Sequence, residues 1–556
     1  MTESLVAERP RSVDEVSVVH ARVGRFDYKW VALAVVLCGT IMTILDSTIV
    51  NIAIPTLQHD LHAGSYTDIA WVVTGYLLAQ GAVIPLTGWA TDRWGTKKLY
   101  LITIVMFTVA SMLCGVSQNL GELIFFRVIQ GVGGGMLMPI GMTIILQAVG
   151  PQNMGKVMGI FGVPMLIAPA VGPVLGGYFV QDFSWRLIFY VNVPIGIVGF
   201  IAATRFLRET HRTAKLRLDV VGLLTGVPAV IALMYAVDRS TQLGWSSPLV
   251  VTLLAASVLL MGVFIVRQLR FRDPLLQLSL FRDRTFSWAM VLSFVVVTAM
   301  FGTMLLLPLY LQEVHGYDAI ETGLLLLPQA AVAAVSMPLG GYLTDRIGPK
   351  WVVATGMMLL TIGSVVLAQI HYNSSNWLVI SALMLRGFAM GFAMMPTMSA
   401  AMARVPRRYT SRASSITNTL QRLSSSVGIA VLVTVLAGQF AGAAAQTTCA
   451  PSAAVVAAAA TSLHQPQLTA QQYCGHLRQA IAASSAQESS GSTQPSTGNA
   501  VLDTFNHQYA GGVFSDAFDR TFVLVAILSA LGIIPAFFLK RPDRNASGSA
   551  AVEMAA

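Results

Sequence analysis

Apolar runs of about twenty residues recur along this chain from Trp30 to Leu539, and each is long enough to cross roughly 30 Å of hydrocarbon as a helix. The runs are continuous rather than alternating, which excludes a closed barrel, whose strands turn every second side chain toward a lumen. Only 11% of the residues are charged against 55% hydrophobic, a balance that does not fit soluble packing. The chain therefore reads as an all-α polytopic membrane protein. Its first run starts near Trp30 and is too long for the h-region of a cleaved signal peptide, so it is expected to stay as the first spanning helix.

Fourteen helices are expected, near 30–54, 66–90, 98–116, 121–147, 155–179, 185–207, 217–236, 248–268, 284–311, 320–344, 350–369, 376–402, 411–440 and 518–539. The loops Asp92–Lys98, Arg205–Arg217, Arg267–Arg284, Arg346–Lys350, Arg404–Arg412 and Lys540–Arg544 carry the Lys and Arg, whereas Gln58–Thr67, Ser117–Leu120, Glu313–Glu321 and His371–Asn376 carry none. This bias assigns the first set to the cytoplasm and both termini with it. The net charge of +9 is thus an orientation signal, and no basic patch interleaved with aromatics points to nucleic acid. The expected organisation is a tail over 1–29, a six-helix bundle over 30–207, two extra helices over 217–268, a second six-helix bundle over 284–539, and a tail over 540–556.

The second bundle includes a long external loop over 441–515, rich in Ala, Ser, Gln and Thr and too polar to span. It reads as a spacer that could fold into a short hairpin over the exit. Cys449 and Cys474 share this loop, and they could pair as a disulfide if it faces an oxidising compartment. Cys38 and Cys114 lie inside apolar runs and read as small buried hydrophobes.

The two halves repeat. Gly88-Trp-Ala-Thr-Asp92-Arg93-Trp-Gly95-Thr-Lys97-Lys98 returns as Gly341-Tyr-Leu-Thr-Asp345-Arg346-Ile-Gly348-Pro-Lys350, 253 residues later. Downstream, each half has an apolar helix with one arginine and nearby glycines, Arg127 with Gly131 and Arg386 with Gly387 and Gly391. A pseudo-twofold repeat implies two bundles rocking about a midplane site.

These pieces, with Leu45-Asp46-Ser-Thr-Ile-Val-Asn51 and Pro55, Ala168–Gly177, Trp185-Arg186 with Asn192 and Pro194, Tyr310-Leu-Gln312 and Asn418 with Gln421-Arg422, resemble the major facilitator superfamily. Within it they are similar to the fourteen-helix drug:proton antiporter branch of QacA-like and EmrB-like exporters. The resemblance covers nearly everything from Trp30 to Leu539. It implies the major facilitator fold of two six-helix bundles with two linker helices, acting in the bacterial inner membrane.

Asp46 lies deep in the first helix, where a lone carboxylate is costly and so functional, paired or protonated by default. It is expected to bind and release a proton, as the resemblance implies for the matching aspartate; an interhelical hydrogen bond is the plainer alternative. Asn51 reads as interhelical glue near the same path. Arg127 is permanently charged and must find an acceptor inside the bundle, with Asp46 and Gln130 as the candidates. The Gly88–Lys98 loop resembles a gate latch in which Asp92 meets a helix N-terminus or an arginine in one state only. Gly88 and Gly95 allow tight turning there, while Arg93 and Lys97 also serve as ordinary positive-inside anchors. Asp345 and Arg346 form the second copy. Pro169, Gly172, Pro173, Gly176 and Gly177 on the fifth helix remove bulk and backbone donors; they match the antiporter motif and favour export over uptake.

No phosphate-binding Gly-x-x-x-x-Gly-Lys-Ser/Thr loop, zinc-spaced histidines or Gly-x-Ser-x-Gly elbow occurs, so neither ATP hydrolysis nor enzyme chemistry is supported and no cofactor or metal is expected. The driving force is expected to be a proton gradient, the partners protons, membrane lipid and a small lipophilic or cationic substrate, and the active unit a monomer. A periplasmic adaptor and a dedicated lipid, siderophore or antibiotic cargo both fit the same scaffold. A non-transporting sensor or scaffold fits it less well, because Asp46, Arg127 and both latch loops are retained.

Overall fold

The computed structural model describes residues 22–23, 26–61, 66–149, 153–209, 216–313, 315–317, 319–370, 374–446, 449, 451–462, 468–486 and 500–540. Most of the expected tails, residues 1–21 and 541–556, lie outside them. Fourteen helices among the described residues are long and apolar enough to cross a membrane. Val174, Val258 and Val335 on three of them are more than 70% exposed, which is tolerable only where lipid is the solvent.

The first bundle comprises α1 (Tyr28–Asp60), α2 (Tyr66–Trp94), α3 (Thr96–Val116), α4 (Leu120–Ala148), α5 (Met154–Asp182), α6 (Leu187–Tyr190) and α7 (Asn192–Phe206). A two-residue antiparallel pair, β1 (Arg22–Val23) with β2 (Phe26–Asp27), precedes it. The expected sixth spanning helix is thus broken at Val191, between α6 and α7. The break falls just before Pro194, which lacks an amide and is tolerated in the first turn of a new helix. The second bundle comprises α10 (Arg284–Glu313), α11 (Ala319–Ile347), α12 (Pro349–Leu367), α13 (Asn376–Ala403), α14 (Thr410–Gln446) and the spanning part of α17 (Ala500–Leu531) with α18 (Ile533–Ala536). Between the bundles, α8 (Val220–Leu243) and α9 (Pro248–Arg270) pair with each other, and α8 leans on both α2 and α14.

The repeat seen in the sequence is a repeat of geometry. Gly95 and Gly348 precede α3 and α12 with φ of 90° and 91°, a left-handed backbone that a side chain resists. Small residues bring helices close at matching places, as in other membrane bundles. A Cβ on Gly131 of α4 would meet the Tyr76 carbonyl of α2 at 2.5 Å, and one on Gly387 of α13 would meet the Gln329 carbonyl of α11 at 2.3 Å.

The segment 441–515, expected as a spacer that could fold into a short hairpin, contains helices. α14 continues to Gln446, α15 (Ala453–Ser462) and α16 (Ala470–Ala486) are helical, and α17 starts twelve residues before its spanning part at Gly512. Alanine, the strongest helix former, dominates α15 and explains why a polar stretch becomes helix rather than coil. Cys449 and Cys474 are joined in a disulfide, which ties the start of this segment to α16.

Candidate functional site

Asp46, midway along α1, is fully buried, and so is Arg127 in the outer third of α4. The Arg127 Nη1 donates to Asp46 Oδ2 at 2.7 Å and to Gln130 Oε1 at 2.8 Å, while its Nε donates to the Val72 carbonyl at 3.1 Å. Asp46 Oδ1 accepts from Gln130 Nε2 at 2.8 Å and from Asn192 Nδ2 at 3.0 Å. Asn192 also donates to Ser111 Oγ at 3.1 Å. The Arg127 guanidinium lies 3.9 Å from the Tyr76 ring centroid, a cation–π contact strengthened by desolvation. Five spanning segments therefore meet around one carboxylate, which accepts from three donor residues and is sealed from solvent.

The expected pairing of Arg127 with Asp46 and Gln130 is what the structure brings together. Asn192, Ser111 and Tyr76 complete the centre without having been read as its members; the sequence offered only that Asn192 is a polar residue within an apolar run, which needs a partner. Asn51 is different. Five residues beyond Asp46, it is exposed, so it is not the buried interhelical contact expected of it: the pitch of α1 turns it away from the face that carries Asp46.

The second half has the same frame without the acid. Arg386 of α13 donates to Ser364 Oγ at 2.5 Å and to Thr303 Oγ1 at 2.6 Å. Ser364 stands 253 residues after Ser111, the offset of the latch loops. By the same offset Asp46 corresponds to Ala299 of α10, whose carbonyl accepts from Arg386 Nη2 at 3.2 Å, and Thr303 lies one turn further along that helix.

The two latch loops bridge the bundles at one end. Arg412, at the start of α14, donates its Nε to Asp92 Oδ2 at 3.1 Å and its Nη1 to Gln277 Oε1 at 3.1 Å. Asp345, at the end of α11, accepts from the Gly155 and Lys156 amides, each at 2.9 Å, where a helix N-terminus favours negative charge. Gly88 lies against the Arg412 backbone, and Gly341 lies against Gly155. The latch end is shut in this structure. Lys97 acts within the first bundle: its Nζ donates to the Thr204 carbonyl at 2.7 Å, and its amide to Glu209. Among the described residues Arg93 forms no ion pair with the other bundle, while Arg346 lies over the Tyr342 ring of its own helix at 4.6 Å.

On α5, a Cβ on Gly172 would meet Thr48 Oγ1 at 2.2 Å, and one on Gly176 would meet Ile49 at 3.0 Å, whereas Gly177 faces open space. The first two glycines therefore let α5 lie directly on α1 beside Asp46. Pro169 precedes them on the same helix, and the side chain of Pro173 lies outside the described residues.

Two repeated helical bundles latched at one end, with a centre of buried charge inside the first, have the architecture of a transporter. The chain belongs to the Major Facilitator Superfamily, whose family model matches residues 36–429. It is 34% identical over 358 residues to the uncharacterized MFS-type transporter YhcA of Bacillus subtilis (64% of this chain, 67% of the relative). It is 35% identical over 357 residues to a multidrug resistance protein B homolog of Mycobacterium tuberculosis (64% and 66%) and over 326 residues to the multidrug export protein EmrB of Escherichia coli (58% and 64%). The matches thus span about two thirds of each relative's length, and the relatives' names bear out the likeness to multidrug exporters. Among solved structures, the human organic anion transporter MFSD10 superposes with a TM-score of 0.54 at 14% identity, over 83% of this chain and 99% of that one, and shows the shared fold.

Proposed function

We propose that this protein is a proton-coupled antiporter that exports lipophilic small molecules from the cytoplasm across the bacterial inner membrane. The observation that carries this reading is the sealed centre of Asp46, Arg127, Gln130 and Asn192. A carboxylate at that depth is stable as an anion only while Arg127 faces it. A rocking of the bundles that admits water or withdraws the arginine lets it take up a proton. The latch end, rich in Lys and Arg, is on this reading the cytoplasmic side, and its closure by Asp92–Arg412 and Asp345 corresponds to a state shut to the cytoplasm. The relatives named as multidrug exporters support efflux, and the glycines of α5 packed on α1 match the antiporter motif.

The test uses inverted membrane vesicles energised with an acid interior and a panel of fluorescent lipophilic dyes that includes ethidium. The native chain is expected to accumulate dye, with accumulation lost on adding a protonophore and in Asp46→Asn. Accumulation that survives the protonophore would overturn proton coupling.

A further inference from the structure

Exporter function leaves open which charge the cargo carries, and the balance of charge inside the bundles bears on it. Arg422 lies in α14, twelve residues in from Thr410, and its Nη2 donates to Gln80 Oε1 on α2 in the opposite bundle. Gln80 is one helical turn from Tyr76, which stacks on Arg127. Among the described residues no carboxylate pairs with Arg422. Asp46 already holds three donors, Asp92 is held by Arg412, and Asp345 by the amides that open α5. Asp219 is held by Arg267, and Asp519 lies in α17 near Tyr310 and Asp516. A guanidinium never gives up its charge under these conditions, and a neutral amide compensates it poorly in an apolar interior. Arg386 is a fully buried cation whose partners among the described residues are neutral, so two arginines of the second bundle, one buried and one half-buried, lack a described counter-charge.

Arg422 is half-buried, and its neighbours on α14 border a gap. Gln421, its neighbour in the chain, and Asn418, a turn earlier, border a small gap between the bundles whose other walls include Met138 and Met142 of α4, Met165 of α5 and Met395 of α13. Methionine walls adapt to irregular apolar shapes. Both bundles contribute to this gap, so rocking apart would enlarge it.

We propose that this region binds lipophilic organic acids in their anionic form, with Arg422 as the residue that meets the acidic group and the methionine-lined gap receiving the apolar body. The proposal rests on the exporter reading and names the substrate class. The plainer role for Arg422 is a brace that ties α14 to α2 through Gln80. A brace needs a hydrogen-bond donor; selection of an anion needs the charge.

The experiment measures binding of 1-pyrenebutyrate and of its trimethylammonium analogue to the full chain in lipid nanodiscs, by pyrene fluorescence against empty discs. The native chain, Arg422→Gln and Arg422→Lys are compared. The native protein is expected to bind the acid at least about tenfold more tightly than the cation, as charge-assisted pairing allows. Arg422→Gln is expected to erase that preference and Arg422→Lys to keep part of it. A native preference for the cation, or acid binding in Arg422→Gln equal to native, overturns the proposal. Should Arg422→Gln fail to fold, the native preference and Arg422→Lys still decide. The same two probes are then followed in energised inverted vesicles. Acid-selective binding without gradient-driven movement sinks the exporter reading alone, while driven movement of the cation without acid preference sinks the Arg422 assignment alone.

Discussion

Asp46 and Arg127, 81 residues apart in the chain, meet across 2.7 Å with 0% and 1% of their side chains exposed. Each charge is stable at that depth because of the other, so removing one strands its partner. Breaking such a pair is strongly unfavourable, by about 3–5 kcal/mol, whereas removing both charges is much milder. Asp46→Asn and Arg127→Gln are each expected to lower thermal stability in detergent by that order, and the double variant to recover most of it. None of the three is expected to move dye with a proton gradient. A double variant no more stable than the singles would show that the pair is not the stabilising unit, and retained driven transport in Asp46→Asn or in the double variant would remove Asp46 from coupling.

The latch depends on glycine at two facing positions. A Cβ on Gly341 would sit 2.0 Å from the Gly155 carbonyl, and one on Gly155 would sit 2.2 Å from the Gly341 carbonyl. Gly341→Ala therefore leaves each bundle intact and obstructs only their closure. Overpacking of this kind costs about 1–3 kcal/mol, enough to shift a balanced two-state equilibrium roughly ten- to hundredfold. Spin labels at Lys98 and Ile347, on opposite bundles, are expected to report a longer distance for most molecules of the variant. An unchanged distance distribution would mean that α5 and α11 can close without this contact.

Spanning helices, their number and the twofold repeat were legible because apolar length and repeated Gly-x-x-x-Asp loops are local properties of the chain. Arg127 needed an acceptor, and only two candidates lay nearby in kind, so its pairing could be argued from cost alone. Asn192 and Ser111 could not be placed, since their contacts with Asp46 and each other depend on where α6 breaks and how α3 meets α7. Asn51 shows the converse: its motif position suggested burial, and the helical phase of α1 exposes it. Within 441–515 the polar composition hid helices because alanine content, not apolar periodicity, forms them. Arg412 as the partner of Asp92 was likewise out of reach, as it lies 320 residues away.

The Cys449–Cys474 disulfide closes a stretch with a sequence separation of 25. By chain entropy, a loop of that size contributes about 3 kcal/mol to the order of the segment it closes. Its pairing also fits placement outside the cytoplasm, where thiols oxidise. A membrane-impermeant maleimide added to intact cells is expected to label the protein only after reduction, and Cys449→Ser with Cys474→Ser to raise amide exchange in α15 and α16. Gradient-driven transport is expected to persist, because neither cysteine touches the buried centre. Labelling without reduction would show the thiols free in the cell, and labelling only from inverted vesicles would reverse the orientation.

His315 lies between α10 and α11, with its ring stacked on Tyr317 at 5.6 Å and edge-on to Tyr310 at 5.4 Å. Burial pushes its pKa below the ordinary histidine value, so the folded connection favours the neutral imidazole. The unfolded or opened segment titrates near 6.5 and takes up a proton first as the pH falls. The stability that His315 contributes is therefore full above about pH 6.5 and declines as the pH drops below that value toward the lower folded pKa. Amide exchange across this connection, followed by mass spectrometry, is expected to quicken between pH 7.5 and 5.5 in the native chain. In His315→Phe, which keeps the ring contacts and cannot titrate, the residual rate after correction for intrinsic exchange is expected to be flat. An equal acceleration in both would assign the pH response to another group.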